Sequence, residues 1–465
     1  MSATPAASNP APSPSLTSGW RELWLKEDWW AIWIGLGLVI LGYVLFANGL
    51  SLKWIAVTPE KWSSFSQLAG HFATNAPRYL AQFVAWLVLF SVALTALGHR
   101  ARDFIPSFVF LYVFSVAIFA VGQWTEANTY NLEPPLVALL LGLVISNLVG
   151  LPRWMDAGFR VEFYVKTGIV LLGATLPFSL IVWAGPIAIL QASLVSLATF
   201  FVIYFVARKL GLERPLAATL GAGGAVCGVS AAIAIAGTVS AKREDAPIAI
   251  TVVIFWAIVM IFVLPFVALA LHLPTGVGGA WIGTSEFADA AGFAAAQTYG
   301  AYGAKGVVAG APDQAVWAFT LMKVVGRDVW IGVWALVLAI VSTTRWEPEA
   351  TGRKPEAGEI WRRFPKFVLG FLVASLIITW VTRAYGLADF NKAINPTLVA
   401  PIKDLRTWAF IFCFFSIGLT TRVRDLATAG RKPFVAFTAG VVVNVVLGFL
   451  LSVYVFASYW TNLAR

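Results

Sequence analysis

Five charged residues stand where an apolar chain should have none. "TLMKVVGRDVWIG" (320–332) carries Lys323 and Arg327 four residues apart, on one face of a helix, with Asp328 directly behind. A lysine and an arginine at membrane depth would draw an anion, and the guanidinium fork suits an oxyanion. The alternatives are snorkelling to an interface or a structural ion pair with nearby acids. Those acids lie in "GTSEFAD" (283–289), where Glu286 and Asp289 are three apart and share a helix face. Two such carboxylates could exchange protons or hold a cation. The competing reading makes this stretch a loop or interfacial helix with both acids solvated.

A third stretch is unusual for the opposite reason. "GAGGAVCGVSAAIAIAG" (221–237) gathers small residues and one of the two cysteines. Glycine costs a helix about 1 kcal/mol relative to alanine. A broken membrane helix persists only where protein or a wet cavity satisfies its backbone. The spacing predicts a bend at Gly221, Gly223, Gly224 and Gly228, with Cys227, Ser230 and Thr238 adding polar contacts. Freed half-helix N-termini at such a bend attract anions. Close GxxxG-type packing, with Gly224 and Gly228 at the right spacing, is the competing reading.

The elements that must position these residues are transmembrane helices. The 465 residues are 59% hydrophobic and 12% charged, about half the charged fraction of a soluble domain. Apolar runs of about 20 residues recur between short charged loops. Helices are predicted at 29–49, 79–98, 105–125, 134–150, 165–184, 187–207, 217–240, 247–271, 279–300, 316–342, 366–385, 405–421 and 434–458. The fold class is therefore an all-α polytopic integral membrane protein of about thirteen transmembrane segments. The weakly apolar 279–300 is taken as spanning because the basic loops 345–363 and 422–432 then fall on the cytoplasmic side. That topology has the N-terminus inside, the C-terminus outside, and "KRED" (242–245) outside. Residues 1–19, rich in Ala, Ser and Pro, read as a disordered cytoplasmic tail. An N-terminal three-helix unit (20–133) precedes a core (134–465).

The net charge of +10 follows from basic cytoplasmic loops, so nucleic acid is excluded as a partner. Cys227 and Cys413 stand apart, and only three histidines occur. No metal spacing, phosphate loop or nucleophile motif is present. The chain is not read as an enzyme, and no cofactor is expected. Most tryptophans, including Trp20, Trp24, Trp29, Trp30 and Trp33, lie near helix ends, as an interfacial belt does.

Residues 168–185 and 413–430 match at a fixed offset: Gly173, Thr175, Ala184 and Gly185 with Gly418, Thr420, Ala429 and Gly430. The expected topology places an odd number of spans between them, which makes them an inverted pair of the kind secondary transporters use.

"LGAGGAVCGVSAAIAIAGTVSAKREDAPIAI" (220–250) resembles the hallmark segment of a family of bacterial membrane proteins described as sulfate exporters. "LLLGLVISNLVGLPR" (139–153), "KTGIVLLG" (166–173), "WIGTS" (281–285), the Lys323–Arg327 pair, "FPKFVLGFLVASL" (364–376) and "SIGLTTRVRDLATAGRKP" (416–433) agree with it. The resemblance covers about residues 134–458, so the first three helices look like an extension. It implies a secondary transporter similar to the bile-acid/arsenite/riboflavin transporter superfamily, with inverted repeats and broken, crossing helices. The expectation is then inner-membrane transport of sulfate, sulfite or an organosulfonate. Gly221, Gly223, Gly224, Cys227, Gly228, Ser230, Thr284, Ser285, Lys323 and Arg327 would hold the anion, and Glu286 and Asp289 would couple H+ or Na+. Expected partners are the anion, the coupling ion, the bilayer and further copies of the chain. The alternatives are a passive anion channel and a transporter of a different small organic anion.

Overall fold

The computed structural model describes residues 21–128, 134–176, 178–239, 241–242, 244–346, 361, 364–383, 390–422, 424 and 430–463. The expected tail at 1–19, most of the basic loop 345–363, and Ala429 lie outside the described residues. In chain order the principal helices are α1 (Glu27–Ala47), α2 (Phe65–Ala96), α3 (Ala101–Gly122), α4 (Pro134–Val144), α5 (Val161–Gly173) and α6 (Phe178–Lys209). There follow α7 (Arg214–Ala225), α8 (Val229–Thr238), α9 (Asp245–Ala270), α10 (Thr275–Ser285) and α11 (Asp289–Ala304). The last are α12 (Pro312–Thr320), α13 (Trp330–Val341), α14 (Phe367–Arg383), α15 (Ala400–Thr420) and α16 (Arg431–Leu450). Among the described residues no strand forms; Trp62 and Trp124 make one isolated bridge.

Among the described residues, seven helical runs are long and apolar enough to cross a bilayer: α1, α2, α3, α6, α9, the run Pro312–Trp346 that joins α12 to α13, and Arg431–Val455. The protein is a polytopic α-helical membrane protein. The stretches 217–240 and 279–300 are not single crossings. Each is two short helices folded back as a hairpin. At about 1.5 Å per residue, α7, α8 and α10 reach only half-way through a core of about 30 Å. Glu213, just before α7, pairs with Lys242, just after α8, so the first hairpin begins and ends at one level. In the second, the Thr275 N–H donates to the Ala309 carbonyl at 2.8 Å. Gly303 sits so close to Thr275 that an added Cβ would lie 2.5 Å from its methyl group.

The bases of the two hairpins lie at opposite ends of α9. Glu213 and Lys242 stand by its first residue, Asp245, whose carboxylate accepts from the Lys242 backbone N–H at 3.0 Å. At the other end, the Tyr299 hydroxyl donates to the Leu273 carbonyl at 2.5 Å and to Ala268 at 3.2 Å. The hairpins therefore enter from opposite faces and meet midway. Lys242 belongs on the face of Arg208 and Lys209, contrary to the sequence expectation for "KRED". Cysteines at Lys209 and Lys242, both exposed, are expected to react with an impermeant maleimide from the same side of sealed vesicles. Labelling from opposite sides would contradict the hairpin.

The matching stretches also find their places. α5 and α15 run antiparallel: Thr175, after the end of α5, accepts from Arg406 near the start of α15 at 2.7 Å. Gly168 lies under Phe410, and Gly418 packs on Gly142 of α4. The N-terminal helices are built into the same core. Trp86, Phe90, Phe108 and Tyr112 pack edge-on, stacked or tilted against Tyr164, Trp408 and Phe412. Trp86 and Trp408 are thus core residues, unlike the exposed Trp24 and Trp54.

Candidate functional site at the hairpin tips

The first tip forms because α7 stops at Ala225 and Gly228 turns the chain back at φ +73°. Gly228 is the glycine the bend requires. The other three do different work, which corrects the expectation that all four make the bend. Gly221 lies against Phe200 and Gly224 against Ile203 of α6, while Gly223 faces Ala232 and Val253. They allow close packing, as small residues do at membrane helix contacts.

The second tip is Glu286, Phe287 and Ala288. The Glu286 carboxylate folds onto its own turn, with Oε1 accepting from the N–H groups of Phe287 at 2.9 Å and Ala288 at 3.2 Å. The tips touch: a Cβ on Gly228 would overlap the Phe287 carbonyl oxygen.

Helices α7 and α10 both end here, and their last carbonyls have no partner within the helix. Lys323 and Arg327 supply one. Lys323 Nζ donates to Val226 O at 3.0 Å and Glu286 O at 2.9 Å. Arg327 donates through Nε to Ala225 O (3.2 Å), through Nη1 to Thr284 O (2.5 Å) and Glu286 O (3.1 Å), and through Nη2 to Gly224 O (2.8 Å). Both side chains are fully buried. Cations at helix C-termini are favourable, and inside a membrane no water substitutes for them. Lys323 and Arg327 therefore staple the two tips together. Their donors point at backbone carbonyls, and neither residue lines the neighbouring cavity.

That cavity, of about 100 Å³, is lined by Cys227, Ser230, Asp289 and Asp328, by Glu162 and Lys166 of α5, and by Asp28 of α1. It sits at the N-termini of α8 and α11. The first intrahelical bonds there run from Ala232 N to Gly228 O and from Gly292 N to Ala288 O. The preceding N–H groups have no acceptor within the helix. Thr284 and Ser285 lie elsewhere. They pack against Gly448 of α16, and the Thr284 hydroxyl donates to Trp281 O at 2.9 Å. Of the residues expected from sequence, Cys227, Ser230 and Asp289 reach the cavity, Lys323 and Arg327 bind its walls together, and Glu286 caps a turn.

Asp28, Glu162, Lys166 and Asp328 were not singled out as site residues in the sequence. Lys166 Nζ lies 2.9 Å from Asp28 and 3.2 Å from Glu27, and Arg160 bonds the other Glu27 oxygen at 3.1 Å. Glu162 and Lys166 share the i, i+4 spacing that drew attention to Lys323 and Arg327. The same rule would have found them had α5 been started at residue 161 instead of 165. Asp328 is turned by a π segment, Leu321–Arg327, whose bond from Asp328 N to Lys323 O spans five residues. On an α-helix, at about 100° per residue, positions 323 and 328 stand about 140° apart. The wider turn brings them closer to one side.

A family model described as "Conserved hypothetical protein 698" matches residues 106–437, which contain every residue of the site except Glu27 and Asp28. The chain belongs to this family. A membrane protein of Rhodopirellula baltica named under UPF0324 is 28% identical over 97% of this chain and 93% of its own. One from Nitratidesulfovibrio vulgaris is 31% identical over 86% of this chain and 68% of its own. One from Nitrosomonas europaea is 29% identical over 87% and 90%. The first of these aligns across nearly the whole chain, so the N-terminal helices are not peculiar to this protein. No solved structure matches the chain.

Proposed function

We propose that the protein is a secondary transporter of a bacterial inner membrane, moving a small anion such as sulfate, sulfite or an organosulfonate together with protons. The observation that carries this reading is the meeting of two half-membrane hairpins at a small, carboxylate-lined cavity. Discontinuous helices meeting near the midplane are how many transporters present backbone charge to a substrate. Here the N-termini of α8 and α11 and the ammonium of Lys166 favour an anion. Asp28, Glu162, Asp289 and Asp328 oppose one for as long as they are charged. Anion binding and carboxyl protonation therefore favour each other, and such linkage is reciprocal. That is the physical basis of coupling, and a passive channel has no need of it.

In this reading about eleven helical passes cross the membrane, since two of the thirteen expected are hairpins. Losing two crossings leaves every later basic loop on the side its charge assigns, with the N-terminus in the cytoplasm. The first hairpin then opens to the cytoplasm and the second to the outside.

The linkage is testable without transport. Titrations of the detergent-purified protein with sulfate, sulfite and a short alkylsulfonate, read as thermal stabilisation, are expected to show binding that tightens as pH falls. One proton taken up per anion corresponds to about tenfold per pH unit. Binding of all three that is absent, or constant with pH, would overturn the reading.

A further inference from the structure

Among the carboxyl groups that line the cavity, Asp328 is the one that is fully buried with both oxygens lacking a hydrogen bond. Asp328 is 1% exposed, and neither of its oxygens has a hydrogen-bond partner. It lines the cavity with Asp289. Asp289 Oδ1 also lacks a hydrogen bond and stands 3.7 Å from Lys323 Nζ. Glu286, the acid that sequence spacing favoured for coupling alongside Asp289, is placed differently. One of its oxygens caps the second tip, the other is buried without a hydrogen bond, and the residue does not line the cavity. Burying an unpaired carboxylate in a medium without water is costly. Intramembrane acids that persist unpaired mark ion or proton sites.

We infer that Asp328 is the group that takes up and releases the coupling proton, with Asp289 as its companion in the cavity. This rests on the transport reading above and assigns the ion and the residue within it. The charged and titratable groups around Asp328 are Glu162 and Lys166 from α5, Asp28 from α1, Cys227 and Asp289 from the hairpins, and Lys323 and Arg327 on its own helix. Lys166 is held by Glu27 and Asp28, and Arg327 by tip carbonyls. Both leave the Asp328 oxygens free of hydrogen bonds. The ion is a proton and not Na+ because a sodium ion needs several oxygens around it. The carbonyls of Gly224, Ala225, Val226, Thr284 and Glu286 are already bonded to Lys323 and Arg327. Among the described residues no group of three or more metal-ligating side chains converges.

The experiment is pH-induced infrared difference spectroscopy on the full-length protein in lipid, with and without NaCl. The wild type is expected to show a protonated-carboxyl C=O band that disappears as pH rises and that NaCl at constant pH does not move. Asp328→Asn is expected to lose that band, Asp289→Asn to shift its midpoint, and Glu286→Gln to keep it. Asp328→Glu, which preserves the carboxyl, is expected to restore a band with an altered midpoint, and it guards against a misfolded Asn variant. A band that survives Asp328→Asn unchanged, or vanishes with Glu286→Gln, would overturn the assignment. Displacement of the band by Na+ would replace the proton with a sodium ion. No substrate enters this measurement, so its outcome separates from that of the anion titrations.

Discussion

Arg327→Ala is expected to abolish transport and to destabilise the protein strongly. The guanidinium is the partner of Gly224 O, Ala225 O and Thr284 O, while Glu286 O keeps Lys323. Each buried carbonyl left alone costs about 1–3 kcal/mol, so the three together cost roughly 3–9 kcal/mol. Arg327→Lys keeps the charge but not the fork, and it should fall between wild type and alanine. Thermal unfolding in detergent, read beside uptake, checks this. A side chain that only bound an anion would, on removal, leave the melting temperature unchanged and raise the substrate concentration needed. A fully stable Arg327→Ala protein would therefore remove the staple from the account.

Gly228→Ala should be nearly as damaging, for a different reason. Its φ of +73° and ψ of −107° lie where L-residues with a Cβ rarely go, a penalty of about 1–3 kcal/mol before any contact is considered. The new methyl would also overlap the Phe287 carbonyl and press on Val253. Neither neighbour is free to retreat, because Phe287 is fully buried and packs on Phe437. The tips are expected to part, with loss of transport and a lower melting temperature. Gly237→Ala is the matched control. Gly237 lies inside α8 with open space around its Cα, and alanine there should be neutral or gain up to about 1 kcal/mol. Equal effects of the two substitutions would show that helix propensity, and not tip geometry, governs this stretch.

These residues also show what the sequence could reveal. Composition and apolar runs fix a polytopic helical membrane protein, because hydrophobic length is set by the bilayer. The break near Gly228 was legible, since glycine-rich polar stretches are uncommon at membrane depth. The fold-back was not. Exchanging two crossings for two hairpins leaves the side of every later basic loop unchanged, so loop charge agrees with both topologies. The contrary sign was "KRED", whose Lys242 pairs with Glu213 at the base of the first hairpin. The site was half legible. Spacing places Lys323 and Arg327 on one face but does not say that the face meets five backbone carbonyls from two other segments. Asp328 escaped because the π turn that aims it has no signature in a pattern of period 3.6. Asp28 escaped because it comes from α1, more than a hundred residues from the rest of the cavity.

The central claim is that anion movement through the hairpin site is driven by protons. The most direct measurement is uptake of radiolabelled sulfate, with sulfite and an alkylsulfonate in parallel, into proteoliposomes with and without an imposed pH gradient, for wild type and Asp328→Asn. The account predicts that the wild type accumulates one of these anions above equilibrium only under the gradient. It predicts that Asp328→Asn does not. Flux in the wild type that merely equilibrates, with or without the gradient, would contradict coupling and make the protein a channel.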